Sequence, residues 1–276
     1  METRLIAVDL DGTLLRTDRT LSPATIEAVA AAAERGLEVV IASGRTLSET
    51  RHLLAQLPQV HYLVGNTGAF VLDLRTNTYL HFSPVPLSLI QEAWRQLRQG
   101  DILFEVNCGG EIYIPTDRLA EVPRFEDACG NHTLHETRRG VDDYDHWLET
   151  LQEPVTKLHL YFPTGEARDA AQVRLGKLKG VDLCTSDPVD LDMTARGIHK
   201  GVGVARLAEH LGLSREQVMA IGDSGNDLGM LRYAGTAVVM ANGSDEAKAL
   251  AHRLTDTNDN DGVAKVLNSL PGVERL

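Results

Sequence analysis

Short apolar runs alternate with amphipathic segments over the first third of the chain. The apolar runs at residues 5–8 and 37–42 have the length and composition of buried strands, and a third strand is predicted to end at Val64. Between them, residues 24–35 and 47–57 are predicted to form helices. Because strands and helices alternate, we expect right-handed crossovers and a parallel sheet.

The pattern changes between residues 82 and 189, where the loops are richer in proline, glycine and charge. Short strands are predicted there over residues 103–106, 111–114 and 155–162, and helices over 87–97 and 166–179. Regular alternation resumes near His199, with helices predicted over 200–211 and 228–233 and strands over 217–221 and 236–240. We therefore predict an α/β core domain formed by residues 1–81 and 190–276, with an α+β cap domain at 82–189 inserted into it.

Acidic residues follow two of the predicted strands. Asp9 and Asp11 come directly after the first strand, and Asp223 follows the strand over 217–221. Ligands bind open α/β sheets at the carboxyl ends of the strands. Two acids at one strand end repel each other, so either a cation or a shared proton is expected there. Asp9 and Asp223, together with a backbone carbonyl near Asp11, match the oxygen ligands that Mg²⁺ takes from proteins.

Several of these residues also have a plainer interpretation. An Asp-Gly pair such as the one at 11–12 is common in ordinary turns, and Asp227 could cap the first turn of a helix. Ser43, after the second strand, can donate its hydroxyl to a phosphoryl oxygen, and Lys200 brings a positive charge to the start of a predicted helix. Taken alone, Ser43 is a helix cap and Lys200 is a surface lysine. Their occurrence beside the acids, each at the end of a predicted element, favours a phosphate site.

The composition restricts the class of partner. A chain of 276 residues with 43% hydrophobic and 24% charged residues is typical of a soluble globular protein. A net charge of −12 argues against nucleic acid as a partner, whereas a small phosphorylated metabolite needs only a local positive pocket. We expect no membrane span and no signal peptide. The three cysteines are odd in number and widely spaced, which predicts a reducing, cytoplasmic environment. The oligomeric state is not indicated.

Four motifs, in order, resemble those of the haloacid dehalogenase-like (HAD) superfamily of phosphatases, and the match is closest to its Cof-type branch. The motifs are DLDGTL at 9–14, SGR at 43–45, KG at 200–201 and GDSGND at 222–227. Only about thirty residues separate Asp11 from Ser43, too few for a folded cap, so the cap must lie between Arg45 and Lys200. That position corresponds to a C2B-type cap. One departure is Thr67, which precedes Gly68 where the family often has Asn-Gly-Ala.

The resemblance implies a Rossmann-like, doubly wound core and the hydrolysis of small phosphate monoesters with Mg²⁺. It implies that Asp9 attacks phosphorus to form an aspartyl phosphate and that Asp11 is the general acid and base. The predicted catalytic residues are Asp9, Asp11, Ser43 and Lys200. The predicted substrate-binding residues are Ser43, Gly44, Arg45, Asn66, Lys200 and Asn226. The predicted metal ligands are Asp9, Asp11, Asp223 and Asp227.

Two other functions remain open from the sequence. A phosphomutase acting on sugar phosphates would use the same residues, and a non-catalytic phosphate or magnesium sensor would use the same scaffold. For a phosphatase, a sugar phosphate or a phosphorylated cofactor is the expected substrate class, and the cap is expected to select among them. Arg45 is interpreted either as a substrate contact or as the partner of a nearby acid. Lys157, in a predicted strand of the cap, is expected to face solvent.

Overall fold

A computed structural model describes residues 2–129, 134–185 and 188–272. The chain divides into two compact units. The first unit, which we call the core unit, consists of Met1–Arg45, Thr50–Phe82 and His199–Leu276. The second, which we call the inserted unit, consists of Thr46–Glu49 and Ser83–Ile198.

The secondary structure follows the predicted alternation closely. In chain order the strands are β1 Leu5–Val8, β2 Glu38–Ala42, β3 Tyr62–Gly65, β4 Phe70–Asp73, β5 Thr78–Phe82, β6 Leu103–Cys108, β7 Glu111–Pro115, β8 Arg138–Val141, β9 Val155–Tyr161, β10 Val181–Cys184, β11 Asp190–Ala195, β12 Val218–Gly222, β13 Thr236–Val239 and β14 Arg253–Leu254. The helices are α1 Pro23–Glu34, α2 Leu47–Leu54, α3 Leu87–Leu97, α4 Val122–Cys129, α5 Tyr144–Thr150, α6 Gly165–Leu175, α7 Lys200–His210, α8 Leu228–Tyr233, α9 Asp245–Lys248 and α10 Gly262–Asn268.

The core unit is built on a sheet with the strand order β14-β13-β12-β1-β2-β3-β4-β5. The strands from β14 to β3 pair in parallel, and β4 and β5 continue the sheet as antiparallel strands. All four residues of β1 are fully buried, as expected for a central strand covered on both faces. The predicted α/β class with a parallel-sheet core is therefore confirmed.

The parallel register brings the polar strand ends to one edge of the core sheet. Val8 of β1 pairs with Ile221 of β12 on one side and with Ile41 of β2 on the other. The residues that follow these strands therefore emerge close together, with Asp9 between the segment that begins at Gly222 and the segment that leads to Ser43.

The inserted unit has its own sheet, with the strand order β10-β11-β9-β6-β7-β8. Its pairs are antiparallel except β7 with β8. β11 pairs with β9, so this sheet continues beyond residue 189, where the sequence predicted a return to the core. The reason is that residues 190–195 alternate polar and apolar side chains, a pattern typical of an antiparallel strand with one apolar face.

Among the described residues, no helix combines the length and the apolar composition needed to cross a membrane.

Candidate active site

Three carboxylates converge at the edge of the core sheet. Asp9 follows β1, while Asp223 and Asp227 follow β12, and one oxygen of each lies within 4.8 Å of the others. The side chains of Asp9 and Asp227 are buried, and Asp223 is half-buried. Buried carboxylates at this spacing repel one another, so the group requires positive charge.

Lys200, the first residue of α7, supplies one such charge. Its Nζ atom lies 2.5 Å from Oδ1 of Asp9 and 2.7 Å from Oδ1 of Asp227. It also donates to Oδ1 of Asn226 at 3.2 Å. The Lys200 side chain is fully buried, which excludes the interpretation as a surface lysine. The sequence-predicted lysine therefore lies among the predicted acids.

The pKa values indicate that one ammonium group does not balance the cluster. Burial and then the charge of Asp227 raise the pKa of Asp9 well above its usual range, although Lys200 opposes this. Burial and Asp227 likewise raise the pKa of Asp223, to about 6. Burial alone would lower the pKa of Lys200, but Asp227 and Asp9 raise it, so the lysine stays charged. A second cation would stabilise the ionised acids.

The turn after β1 is in direct contact with the second acidic segment. Gly12 has φ 77°, and a Cβ atom there would lie 2.6 Å from Oδ2 of Asp223. Thr13 Oγ1 donates to Oδ1 of Asp223 at 3.2 Å, and Asn242 Nδ2 donates to the Gly12 carbonyl at 2.8 Å. Thr13 and Asn242 therefore position the acids. Sequence reasoning assigned neither of them a role, although Thr13 lies in the 9–14 motif.

The carboxylate of Asp11 forms a fork with Arg45. Arg45 Nη2 lies 2.5 Å from Oδ1 of Asp11, and Arg45 Nε lies 2.9 Å from Oδ2. Leu10–Leu14 forms a wide turn in which the backbone of Asp11 stays extended, with φ −78° and ψ 120°, and Gly12 has a positive φ of 77°. The carboxylate of Asp11, predicted as a metal ligand, is thus not among the three that converge, and half of its side chain is exposed.

The loops after β2 and β3 hold the remaining predicted residues against each other. The Thr67 amide donates to the Ser43 carbonyl, and the Asn66 amide donates to the Arg45 carbonyl, each at 3.0 Å. Ser43 Oγ accepts from the Arg45 amide at 3.2 Å, and Gly44 lies next to Thr67. Ser43 and Asn66 are both buried. These residues therefore form one packed loop pair at the same edge as Asp9.

The core unit has an open parallel sheet with converging carboxylates at its carboxyl edge and a buried lysine between them. Together these features define an α/β enzyme of the phosphatase class. Residues 6–267 match the family described as haloacid dehalogenase-like hydrolases. The chain belongs to this family, which confirms the resemblance inferred from the four motifs, and the chain is a phosphatase.

Relatives of known name match nearly the whole chain. The chain is 30% identical over 267 residues to a 5-amino-6-(5-phospho-D-ribitylamino)uracil phosphatase of Bacillus subtilis, covering 97% of this chain and 95% of that protein. It is 30% identical over 283 residues to a pyridoxal phosphate phosphatase of Escherichia coli, covering 98% and 99%. A crystal structure of a haloacid dehalogenase-like hydrolase from Bacteroides thetaiotaomicron matches with a TM-score of 0.85 and 26% identity, covering 97% and 99%.

Proposed function

We propose that the chain hydrolyses small phosphate monoesters with Mg²⁺, and that Asp9 is the nucleophile. The observation that carries the proposal is the convergence of three carboxylates on one buried ammonium group. A carboxylate held at a strand end beside a lysine can attack phosphorus, because the lysine offsets the negative charge of the incoming phosphoryl oxygens.

The donor set fits a magnesium ion. Asp9, Asp223 and Asp227 offer oxygen ligands only, which suits a hard cation and not a soft one. Asp227 also has a structural duty, since its Oδ2 accepts from the amides of Asp223 and Ser224 at 2.9 and 3.1 Å. We propose that Asp9 and Asp223 hold the ion and that Asp227 contributes to or orients this set. The ion would neutralise phosphoryl oxygens and orient the substrate.

The reaction we propose has two steps that use the same residues. An oxygen of Asp9 forms a bond to phosphorus while the bond to the ester oxygen breaks, and Asp11 gives that oxygen a proton. A water molecule then attacks phosphorus, Asp11 takes its proton, and the bond to Asp9 breaks to release phosphate. Arg45 orients Asp11 through its fork, while Lys200 and Ser43 stabilise the transferring group.

Named relatives suggest where the substrate should be sought. One of them is named as a phosphatase of 5-amino-6-(5-phospho-D-ribitylamino)uracil, and another is named as a phosphatase of pyridoxal phosphate. We propose that this chain acts on phosphorylated metabolites of this kind in the cytoplasm. The thiols of Cys108 and Cys184, which are free, support a reducing compartment.

The test is phosphate release from p-nitrophenyl phosphate by the purified chain, with and without Mg²⁺. Wild type is expected to require Mg²⁺, and Asp9→Asn is expected to release no phosphate above background. Asp11→Asn is expected to lose about 10²–10⁴-fold in turnover of an ester with a poor leaving group. The same measurement of free phosphate with a sugar phosphate as substrate separates hydrolysis from transfer within that sugar phosphate.

Asp169→Asn is the matched control, because Asp169 lies in the inserted unit with a side chain that is 66% exposed. Its turnover should equal that of wild type. Undiminished turnover by Asp9→Asn would exclude Asp9 as the nucleophile, and Mg²⁺-independent turnover would exclude the proposed ion.

A further inference from the structure

A buried asparagine near the end of the chain is hydrogen-bonded to the turn that follows β1. Asn258 is only 8% exposed, and its Nδ2 atom donates to the carbonyl oxygen of Leu15 at 3.0 Å. The Leu15 amide donates to the Leu10 carbonyl at 2.9 Å and so closes the wide turn. Asn258 follows β14, and β13 and β12 lie between β14 and β1 in the core sheet. The chain after β14 therefore crosses the ends of two strands to reach this turn.

Asn258 also orients a second asparagine that contacts the same turn. The backbone amide of Asn258 donates to Oδ1 of Asn242 at 3.1 Å, and Nδ2 of Asn242 donates to the carbonyl of Gly12 at 2.8 Å. Because an N–H group bonds to the oxygen of a side-chain amide and not to its nitrogen, Asn258 determines which end of the Asn242 side chain faces Gly12. The two asparagines therefore form a relay that holds two carbonyl groups of the turn.

The loop that carries Asn242 is also bonded to the second acidic segment. The Ser244 amide donates to the Asp223 carbonyl at 2.8 Å. A Cβ atom on Gly243 would lie 2.9 Å from that carbonyl oxygen, so the loop packs directly on the acidic segment. Residues 240–244 thus connect the backbone of Asp223 to the turn after β1 through the side chain of Asn242.

We propose that Asn258 is a positioning residue for the phosphatase reaction, an inference that rests on the proposed function. The Leu14 amide donates to the Asp9 carbonyl at 3.2 Å, so Asp9 and the turn move together. Through Leu15 and Asn242, Asn258 fixes this turn against the segment of Asp223, and thereby sets the separation at which the two acids hold Mg²⁺. Groups that orient metal ligands without touching the ion contribute to its affinity.

A second contact between the same segments lies at the surface. Asp259 accepts from the amide and from the hydroxyl of Thr17, at 2.8 and 2.7 Å, and both bonds are exposed. Water can replace a lost partner there, whereas a buried carbonyl that loses its donor stays unsatisfied. The bond from Asn258 to Leu15 is buried. Its loss is therefore the one expected to displace the turn.

The test measures Mg²⁺ affinity by calorimetric titration of the full chain, a measurement that needs no turnover. Asn258→Ala is expected to weaken Mg²⁺ binding about tenfold, the lower end of the range for groups that orient metal ligands. Asn260→Ala is the matched control. Asn260 lies two residues away, and its Nδ2 atom donates within its own loop, to Thr257 Oγ1 at 2.8 Å. This control should bind Mg²⁺ as wild type does.

Thermal unfolding separates positioning from a structural role. Titrations are made at a temperature at which circular dichroism shows each variant to be folded. A residue that only stabilises the fold would lower the unfolding temperature and leave the Mg²⁺ affinity of the folded chain unchanged. Asn242→Ala interrupts the relay at an exposed residue, so it tests the proposal even if Asn258→Ala does not fold. It should also weaken Mg²⁺ binding, and the two losses should not add in the double variant.

Phosphate release from p-nitrophenyl phosphate, measured in parallel, distinguishes this proposal from the proposed function. Wild type that binds Mg²⁺ but releases no phosphate would overturn the function alone, and the affinities of the variants would still decide the role of Asn258. Wild type that hydrolyses with Mg²⁺ while Asn258→Ala or Asn242→Ala keeps its affinity would overturn the positioning role alone. An equal loss of affinity in Asn260→Ala would also overturn it, and wild type that binds no Mg²⁺ would overturn both.

Discussion

The buried lysine of the core unit gives the sharpest quantitative prediction. Lys200→Met keeps a similar side-chain volume but leaves Asp9 and Asp227 without the ammonium group that lies 2.5 and 2.7 Å from them. Removing one partner from a buried ion pair costs about 3–5 kcal/mol, because an uncompensated charge stays in the interior. At about 1.4 kcal/mol per factor of ten, the ratio of folded to unfolded chain should fall by roughly two to three and a half powers of ten.

The assay is denaturant unfolding in buffer free of divalent ions, with Lys265→Met as the matched control. Lys265 forms an ion pair of similar length with Asp256, at 2.6 Å, but its side chain is 56% exposed. An exposed pair contributes little to stability, so this control should unfold close to wild type. The double variant Lys200→Met/Asp227→Asn should recover part of the loss, because it removes one of the repelling charges.

Magnesium provides the second half of the experiment. If the acid group holds Mg²⁺, the ion replaces part of the missing positive charge in Lys200→Met. At a Mg²⁺ concentration a hundred times its dissociation constant, the bound ion adds about 2.7 kcal/mol to the free energy of unfolding. Lys200→Met should therefore be stabilised by Mg²⁺, while Lys265→Met should gain no more stability from Mg²⁺ than wild type does. Equal losses for Lys200→Met and Lys265→Met would refute the view that Lys200 compensates the acids.

Three further predictions follow from single contacts. Gly12→Ala should raise the Mg²⁺ concentration needed for half-maximal phosphate release at least tenfold, because its Cβ atom would press on the carboxylate that follows β12. Gly212→Ala, which is also at positive φ but has open space around it, should leave that concentration unchanged. Arg138→Met should cost about 3–5 kcal/mol in denaturant unfolding by stranding its buried glutamate partner in β6, and Arg139→Met, at an exposed pair, should unfold as wild type does. Burial alone would lower the pKa of His159, but the aspartate charge in β11 raises it. Wild type should therefore exceed His159→Gln in stability most clearly below pH about 6.5, and the difference should shrink as the pH rises through the raised pKa; a difference independent of pH would contradict this.

The elements were predictable because their patterns are local. Helices expected over 87–97 and 228–233 occur at Leu87–Leu97 and Leu228–Tyr233, since apolar spacing and the flanking turns suffice to define them. The strand ends that deliver Asp9 and Asp223 were predictable for the same reason. The direction of Asp11 was not, because it depends on the wide turn at Leu10–Leu14.

Contacts between segments that are distant in the chain could not be predicted from the sequence. The space beside Gly12 is taken by Asp223, more than two hundred residues away in the chain, because β1 and β12 are neighbours in the sheet. Alternation in β6 and β9 predicts two different faces but not whether the polar one meets solvent. Lys157 was therefore expected to be exposed, although its burial follows from packing that no local pattern encodes.

Buried charge alone does not distinguish the two ionic groups of this protein. In the inserted unit, the oxygens of Glu105 face the guanidinium fork of Arg138, so each acidic oxygen meets a donor. In the core unit, oxygens of Asp9, Asp223 and Asp227 face one another, and this is the one such group of three potential ligands among the described residues. A fork of donors stabilises a fold without any ion, whereas converging oxygens need a cation between them. The direction of the oxygens, and not their burial, is therefore what favours a metal site in the core unit.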